Sequence, residues 1–189
     1  MVSTLGLVIV GILVIQDKYE GESQTAEFVQ KKTIEKIIIP EQNSIEWINE
    51  KVTEIENNTT LHQAEYDLGE LTGITTDGGG ILKVWRNDNQ ILKIHEEVGL
   101  SYGRITNIIY LDSELPIKVI ETEENFGSEN GEINYSALNE VFKGIIYVFD
   151  WEKDESKIER IGKRVLSEGN CSTFDYEPII ERAKKATSE

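Results

Sequence analysis

The chain has 189 residues, of which 39% are hydrophobic and 29% charged, a composition that suits one folded domain rather than a disordered segment. Its 35 Asp and Glu outnumber 19 Lys and Arg, and the net charge of -16 repels phosphate backbones and so speaks against nucleic acid as a partner. With Cys171 as the only cysteine, an internal disulfide and a cysteine-built metal cluster are both excluded.

The chain opens on an apolar run. Residues 2–16, VSTLGLVIVGILVIQ, carry no charge and are shorter than the roughly 20 residues of a bilayer span, so they read first as an export signal or a membrane tether. No Lys or Arg precedes the run and no small-x-small cleavage site follows it. A buried strand is the competing reading, because Val and Ile are strand formers. Residues 17–31 are polar and glutamate-rich and read as a tether. From residue 32 a single domain is expected to run to residue 189, beginning with an apolar stretch that Pro40 stops.

Ile45, Ile48, Val52 and Ile55 recur at helical spacing, which predicts an amphipathic helix laid on a sheet. Asn43 is the expected cap, with Glu46 three residues on, and the run Asn57-Asn58-Thr59-Thr60 ends the helix. The glycines of Thr76-Asp77-Gly78-Gly79-Gly80 suggest a phosphate cradle, but a strand pattern follows them instead of Lys-Ser/Thr and a helix. They are read as a turn.

Three similar units come next: ILKVWRNDNQILKIHEE from Ile81, ITNIIYLDSELPIKVIETE from Ile105 and GIIYVFDWEKDESKIERIG from Gly144. Each is a β-branched or aromatic run, a polar turn and a second run, which is the pattern of tandem hairpins in an antiparallel meander. In the last unit Ile145, Tyr147, Phe149 and Trp151 fall on one side, and Ile146 and Val148 on the other. Such a sheet is covered on both faces, or leaves one face for binding, with Tyr147, Phe149 and Trp151 as its binding residues. Residues 123–139 read as a long polar surface loop, and Glu123, Glu124 and Phe126 at its start are candidate recognition residues. A closing helix is expected after Asp175 as its cap, with Pro178 in the first turn.

No arrangement for catalysis stands out. The clusters Glu121, Glu123, Glu124 and Asp150, Glu152, Asp154, Glu155 read as solvated faces, whereas general acid–base chemistry needs a carboxyl partly buried to raise its pKa. No EF-hand loop is present, Asn87-Asp88-Asn89-Gln90 reads as a hairpin turn, and His62 and His95 have no metal-ligand spacing. No catalytic residue, cofactor or metal is assigned.

Residues 66–126, with the GGG lead-in, the strand ending in Trp85, ILKIHEE and SYGRITNIIYLDSELPIKVIETEENF, resemble a pattern in small exported β-hairpin proteins of Gram-negative bacteria. That resemblance implies an extracytoplasmic β-domain and no defined activity. The strand-turn-strand units are more distantly similar to MORN-like repeats of antitoxin-type proteins, without their Gly-x-Trp-x-x-Tyr consensus.

The expected fold is thus α+β, an antiparallel β-meander of about three hairpins packed with an N-terminal and a C-terminal helix. The expected function is a non-enzymatic protein of the cell envelope, exported or tethered, that engages a basic protein partner through its acidic surface, as an inhibitor or immunity protein would. The alternatives are an envelope hydrolase with paired carboxylates and a carrier of a small apolar ligand.

Overall fold

Alternating residues need a neighbouring strand on each side, and closing a short turn costs less chain entropy than closing a long one, so consecutive strands pair with each other. The computed structural model, which describes residues 43–88, 90–129 and 131–188, shows this carried through. The expectations for the apolar run, the tether and the stretch up to residue 42 lie outside the described residues. Strands β1 (His62–Asp67), β2 (Gly80–Arg86), β3 (Ile91–Leu100), β4 (Gly103–Asp112), β5 (Leu115–Glu129), β6 (Glu132–Asp150) and β7 (Glu155–Gly162) lie side by side in chain order. Every neighbouring pair is antiparallel. Helices α1 (Ile45–Asn57), α2 (Leu68–Thr72) and α3 (Thr173–Ala186) complete the described architecture, which is α+β.

The three predicted hairpins are β2–β3, β4–β5 and β6–β7, but the sheet is a continuous meander of seven strands among the described residues. The connections between the hairpins are themselves tight, as in the Ser101-Tyr102 turn between Leu100 and Gly103. The expected loop over residues 123–139 is also corrected. β5 and β6 run on through it as a paired arm, closing where Glu129 faces Glu132. Gly131 stands in the connection at φ 86°, a left-handed conformation that glycine adopts without steric cost, and Asn-Gly, as the sequence reads here, is a strong short hairpin signal.

Both faces of the sheet are covered. α1 lays Ile48 and Ile55 on one face, against Tyr110, Ile117 and Tyr147, with Ile45 and Val52 beside them. Polar ties fix its seating, since Lys118 donates to Asn49 at 2.8 Å and both Lys93 (2.7 Å) and the Tyr110 hydroxyl (2.6 Å) donate to Glu56. Burial opposes charge on Glu56, but these two bonds outweigh it and hold the carboxyl below its usual range. α3 covers the opposite face with Tyr176, Ile179, Ile180 and Ala183, over Leu82, Val84, Ile94, Ile109, Val119 and Ile146.

Both helix caps sit away from their expected positions. Ser44, not Asn43, caps α1 by accepting from the Trp47 N–H, while Asn43 takes φ 63° and donates its amide to the Phe149 carbonyl. For α3 the cap is Ser172, and Asp175 serves as the third residue of its capping box. Glycine is required where Gly78 meets Gly99: a Cβ on Gly78 would stand 2.6 Å from the Gly99 carbonyl carbon. The glycine-rich piece is therefore a close backbone crossing at the start of β2, braced by the bonds Gly78 N–H to Gly99 O and Gly99 N–H to Gly79 O.

Candidate functional site

Register places an apolar row across the α3 side of the sheet, in which Ile94 faces Ile109, Ile109 faces Val119 and Val119 faces Ile146. Two residues further along each strand the same side turns polar. Glu96 faces Asn107, Asn107 faces Glu121 and Glu121 faces Gly144, and in the row beyond, Ile105 faces Glu123. All four polar side chains are buried. Charges buried in this way persist only when donors converge on them.

The donors come from α3 and from the segment between β7 and α3. Arg182 of α3 forks onto Glu96, with its Nε at 2.9 Å from Oε2 and its Nη2 at 2.8 Å from Oε1. Arg164 forks onto Glu121 at 2.5 and 2.6 Å, and the Tyr176 hydroxyl adds a bond at 2.7 Å. Glu123 accepts from the N–H groups of Val165 (2.7 Å), Leu166 (2.8 Å) and Ser167 (3.1 Å), and from the Ser167 hydroxyl. Gly144 leaves the space that the Cys171 sulfur fills, and that sulfur lies 3.0 Å from Arg164 Nη2.

These partners set the protonation of the cluster. Burial pushes the Glu96 carboxyl up despite the guanidinium of Arg182. Glu123 is also opposed by burial, but the Ser167 hydroxyl and the three N–H groups prevail and hold it below the usual carboxylate range. Burial and then the Glu121 charge push the Tyr176 phenol up. Both oxygens of Glu96, Glu121 and Glu123 are taken by protein donors, so these carboxylates hold the loop and α3 to the sheet.

Asn107 differs from its neighbours. It is 8% exposed, and its buried Oδ1 has no hydrogen-bond partner among the described residues. It lines a cavity of about 220 Å³ together with Ile105, Glu121, Arg164, Pro178 and Ile179, among others. A second cavity, of about 420 Å³, lies against α2 and shares Glu96, Val98 and Arg182 with the first.

The sequence-predicted site residues are dispersed. Tyr147 is buried beneath α1, and Phe149 packs at the edge of the same core. Trp151 packs instead against the core under α3, because a register shift between Val148 and Asp150 breaks the alternation that would have put it beside them. Glu123 is buried as described, which corrects its reading and that of Glu121 as solvated. Glu124 is paired with Arg104 at 2.7 Å, and Asp154 accepts from Ser172 and Thr173 at the start of α3. Phe126 stands at the base of the arm, its ring edge-on to Tyr135 at a centroid distance of 5.1 Å.

Beyond Asn125 on β5 and Phe142 on β6, no third strand among the described residues pairs with the arm. The register shift after Phe126 leaves residues 135–137 unopposed, and Tyr135 projects from this bulge with 66% of its surface exposed. Ile133 is exposed as well. Residues 126–141 carry Glu129, Glu132 and Glu140 and no Lys or Arg.

Sequence reasoning missed Glu96, Asn107, Arg164 and Arg182. The available signal was a polar residue at an inward position, as in Ile94-x-Glu96-x-Val98, but the arginines that answer it lie far along the chain. Among the described residues, no group of three or more His, Cys, Asp or Glu side chains is placed to hold a metal ion, and no helix is long and apolar enough to cross a membrane. No family model, curated protein or solved structure matches this chain.

Proposed function

We propose that the protein is a non-enzymatic binding module of the cell envelope that engages a basic protein partner through the β5–β6 arm. The observation that carries this reading is the arm itself: a two-stranded projection with three glutamates, no cation and the exposed side chains Ile133 and Tyr135. An apolar and aromatic centre with a charged surround is the usual anatomy of a protein-binding patch. The net charge of -16 adds long-range attraction for a basic partner, which steers encounter and weakens with salt. Inhibition or neutralisation of a basic protein is the activity such a surface serves.

Affinity capture from the native cell extract with the full chain tests it, comparing the wild type with Glu129→Lys/Glu132→Lys/Glu140→Lys and with Tyr135→Ser. A basic protein retained by the wild type at low salt, released as salt rises and lost with both variants is the expected result. Retention of the same proteins by all three chains would overturn the assignment to the arm.

A further inference from the structure

We propose that the outer edge of β7 is a self-association surface, on which a second copy of this chain docks its own β7 antiparallel about a twofold axis at Ile158. The proposal is independent of the arm and its partner.

β7 is an end strand of the sheet, and no strand among the described residues pairs with its outer side. Alternate N–H and C=O groups of an end strand point away from the sheet and template a further strand. Its side chains divide between the two covered faces. Ile158 stands opposite Ile146 on the α3 side, whereas Lys157, Glu159 and Ile161 stand opposite Tyr147, Ile145 and Lys143 on the α1 side. Lys157 Nζ lies 2.8 Å from Glu159 Oε1, with 51% and 46% of the two side chains exposed. Ile161 is 62% exposed.

Charge order selects both the partner and the register. Edge strands are ordinarily kept apart by charge, lysine above all, but the charges of β7 match their own reversal. A twofold axis perpendicular to the sheet makes the pair antiparallel and keeps the α1 and α3 sides of both copies aligned, so residues symmetric about the axis stand opposite each other. With the axis at Ile158, Lys157 faces the partner's Glu159 and Glu159 faces the partner's Lys157, and four charges of alternating sign form a square on the α1 side. On the α3 side Ile158 faces the partner's Ile158, and Ser156 faces the partner's Arg160. Moving the axis by one residue sets Lys157 against the partner's Lys157, or Glu159 against the partner's Glu159, and like charges directly opposite destabilise a pair. β1, at the other end of the sheet, carries Glu65 and Asp67 and no Lys or Arg, so it has no such self-match. A single strand edge is a small interface, which makes the dimer weak and reversible.

The test is sedimentation equilibrium of the full chain from about 0.01 to 1 mM at physiological ionic strength, where a Debye length of about 8 Å screens the mutual repulsion of two acidic molecules. The wild type is expected to pass reversibly from monomer to dimer. Lys157→Glu alone and Glu159→Lys alone each set like charges opposite one another in both cross-strand pairs, and each should weaken the dimer about tenfold. An equimolar mixture of the two variants restores opposite charges in both pairs and should form a heterodimer with an affinity within about threefold of the wild type. Both substitutions are at exposed positions, so the melting temperatures of the monomers should stay near that of the wild type. The proposal fails if the wild type remains monomeric throughout, or grows beyond a dimer as pairing of β7 with β1 of the next copy would make it. It fails equally if either single variant associates as the wild type does, or if the mixture associates no better than its components. Tyr135→Ser on the arm should leave the dimer unchanged, and capture of a basic protein should survive Lys157→Glu, so that failure of one reading leaves the other standing.

Discussion

Glu123 is fully buried and stays charged because residues 165–167 turn three N–H groups and a hydroxyl onto its two oxygens. A carboxyl whose folded pKa lies below its unfolded value contributes stability that is present above the unfolded pKa, near 4.3, and is lost as pH falls through the folded value. Glu123→Gln should therefore cost about 3 kcal/mol at neutral pH, since hydrogen bonds to a buried charge are replaced by mismatched neutral ones. It should also flatten the acid side of a plot of urea-unfolding free energy against pH. Glu96 works in the opposite sense. Its raised pKa means that the folded state binds the proton more tightly, so its share of the stability falls as pH rises through the folded value, and Glu96→Gln should steepen the rise in stability with pH.

At the scale of the elements, the turns decide the register. The β4–β5 turn places Ser113 at φ 51° and Glu114 at φ 68°, the left-handed conformation that costs an L-residue about 1–2 kcal/mol. Asp112 faces Leu115 across it, so the hairpin is held with two residues that do not prefer its shape. Glu114→Gly should raise stability by about 1 kcal/mol, which a shift of the urea midpoint would measure. The strands here were legible because their alternation is local and needs only neighbouring residues. The arm was misread as a loop because Glu124, Asn125, Gly127 and Ser128 make a polar stretch, and a strand outside the core has no buried face to impose alternation. The helix stripe of Ile45, Ile48, Val52 and Ile55 was legible for the same local reason, whereas the caps shifted by one to three residues because several polar residues at each end could serve.

On the scale of the whole molecule, one sheet carries two cores. The α1 side is closed by Ile48 and Ile55 over Tyr110, Ile117 and Tyr147, and the α3 side by a larger apolar set together with the buried ion pairs. Because both cores share every central strand, they should unfold together. Ile48→Ala should cost about 3 kcal/mol through the cavity it leaves, lowering the urea midpoint without changing the slope of the transition. A reduced slope would show instead that α1 leaves the sheet before the rest unfolds.

Alternation, helical spacing and net charge are properties of neighbouring residues and of composition, so the sequence by itself determined an acidic α+β protein with an antiparallel meander and a helix packed on the sheet. Only the tertiary structure decided that the sheet is covered on both faces, that Tyr147 lies under α1, and that Glu96, Asn107 and Glu121 form one buried row. It also decided that Arg164 and Arg182 close over that row from 43 and 86 residues away in the chain. The physical reason is distance along the chain. A buried glutamate and a surface glutamate are the same letter until folding brings a guanidinium or a set of N–H groups to one and water to the other.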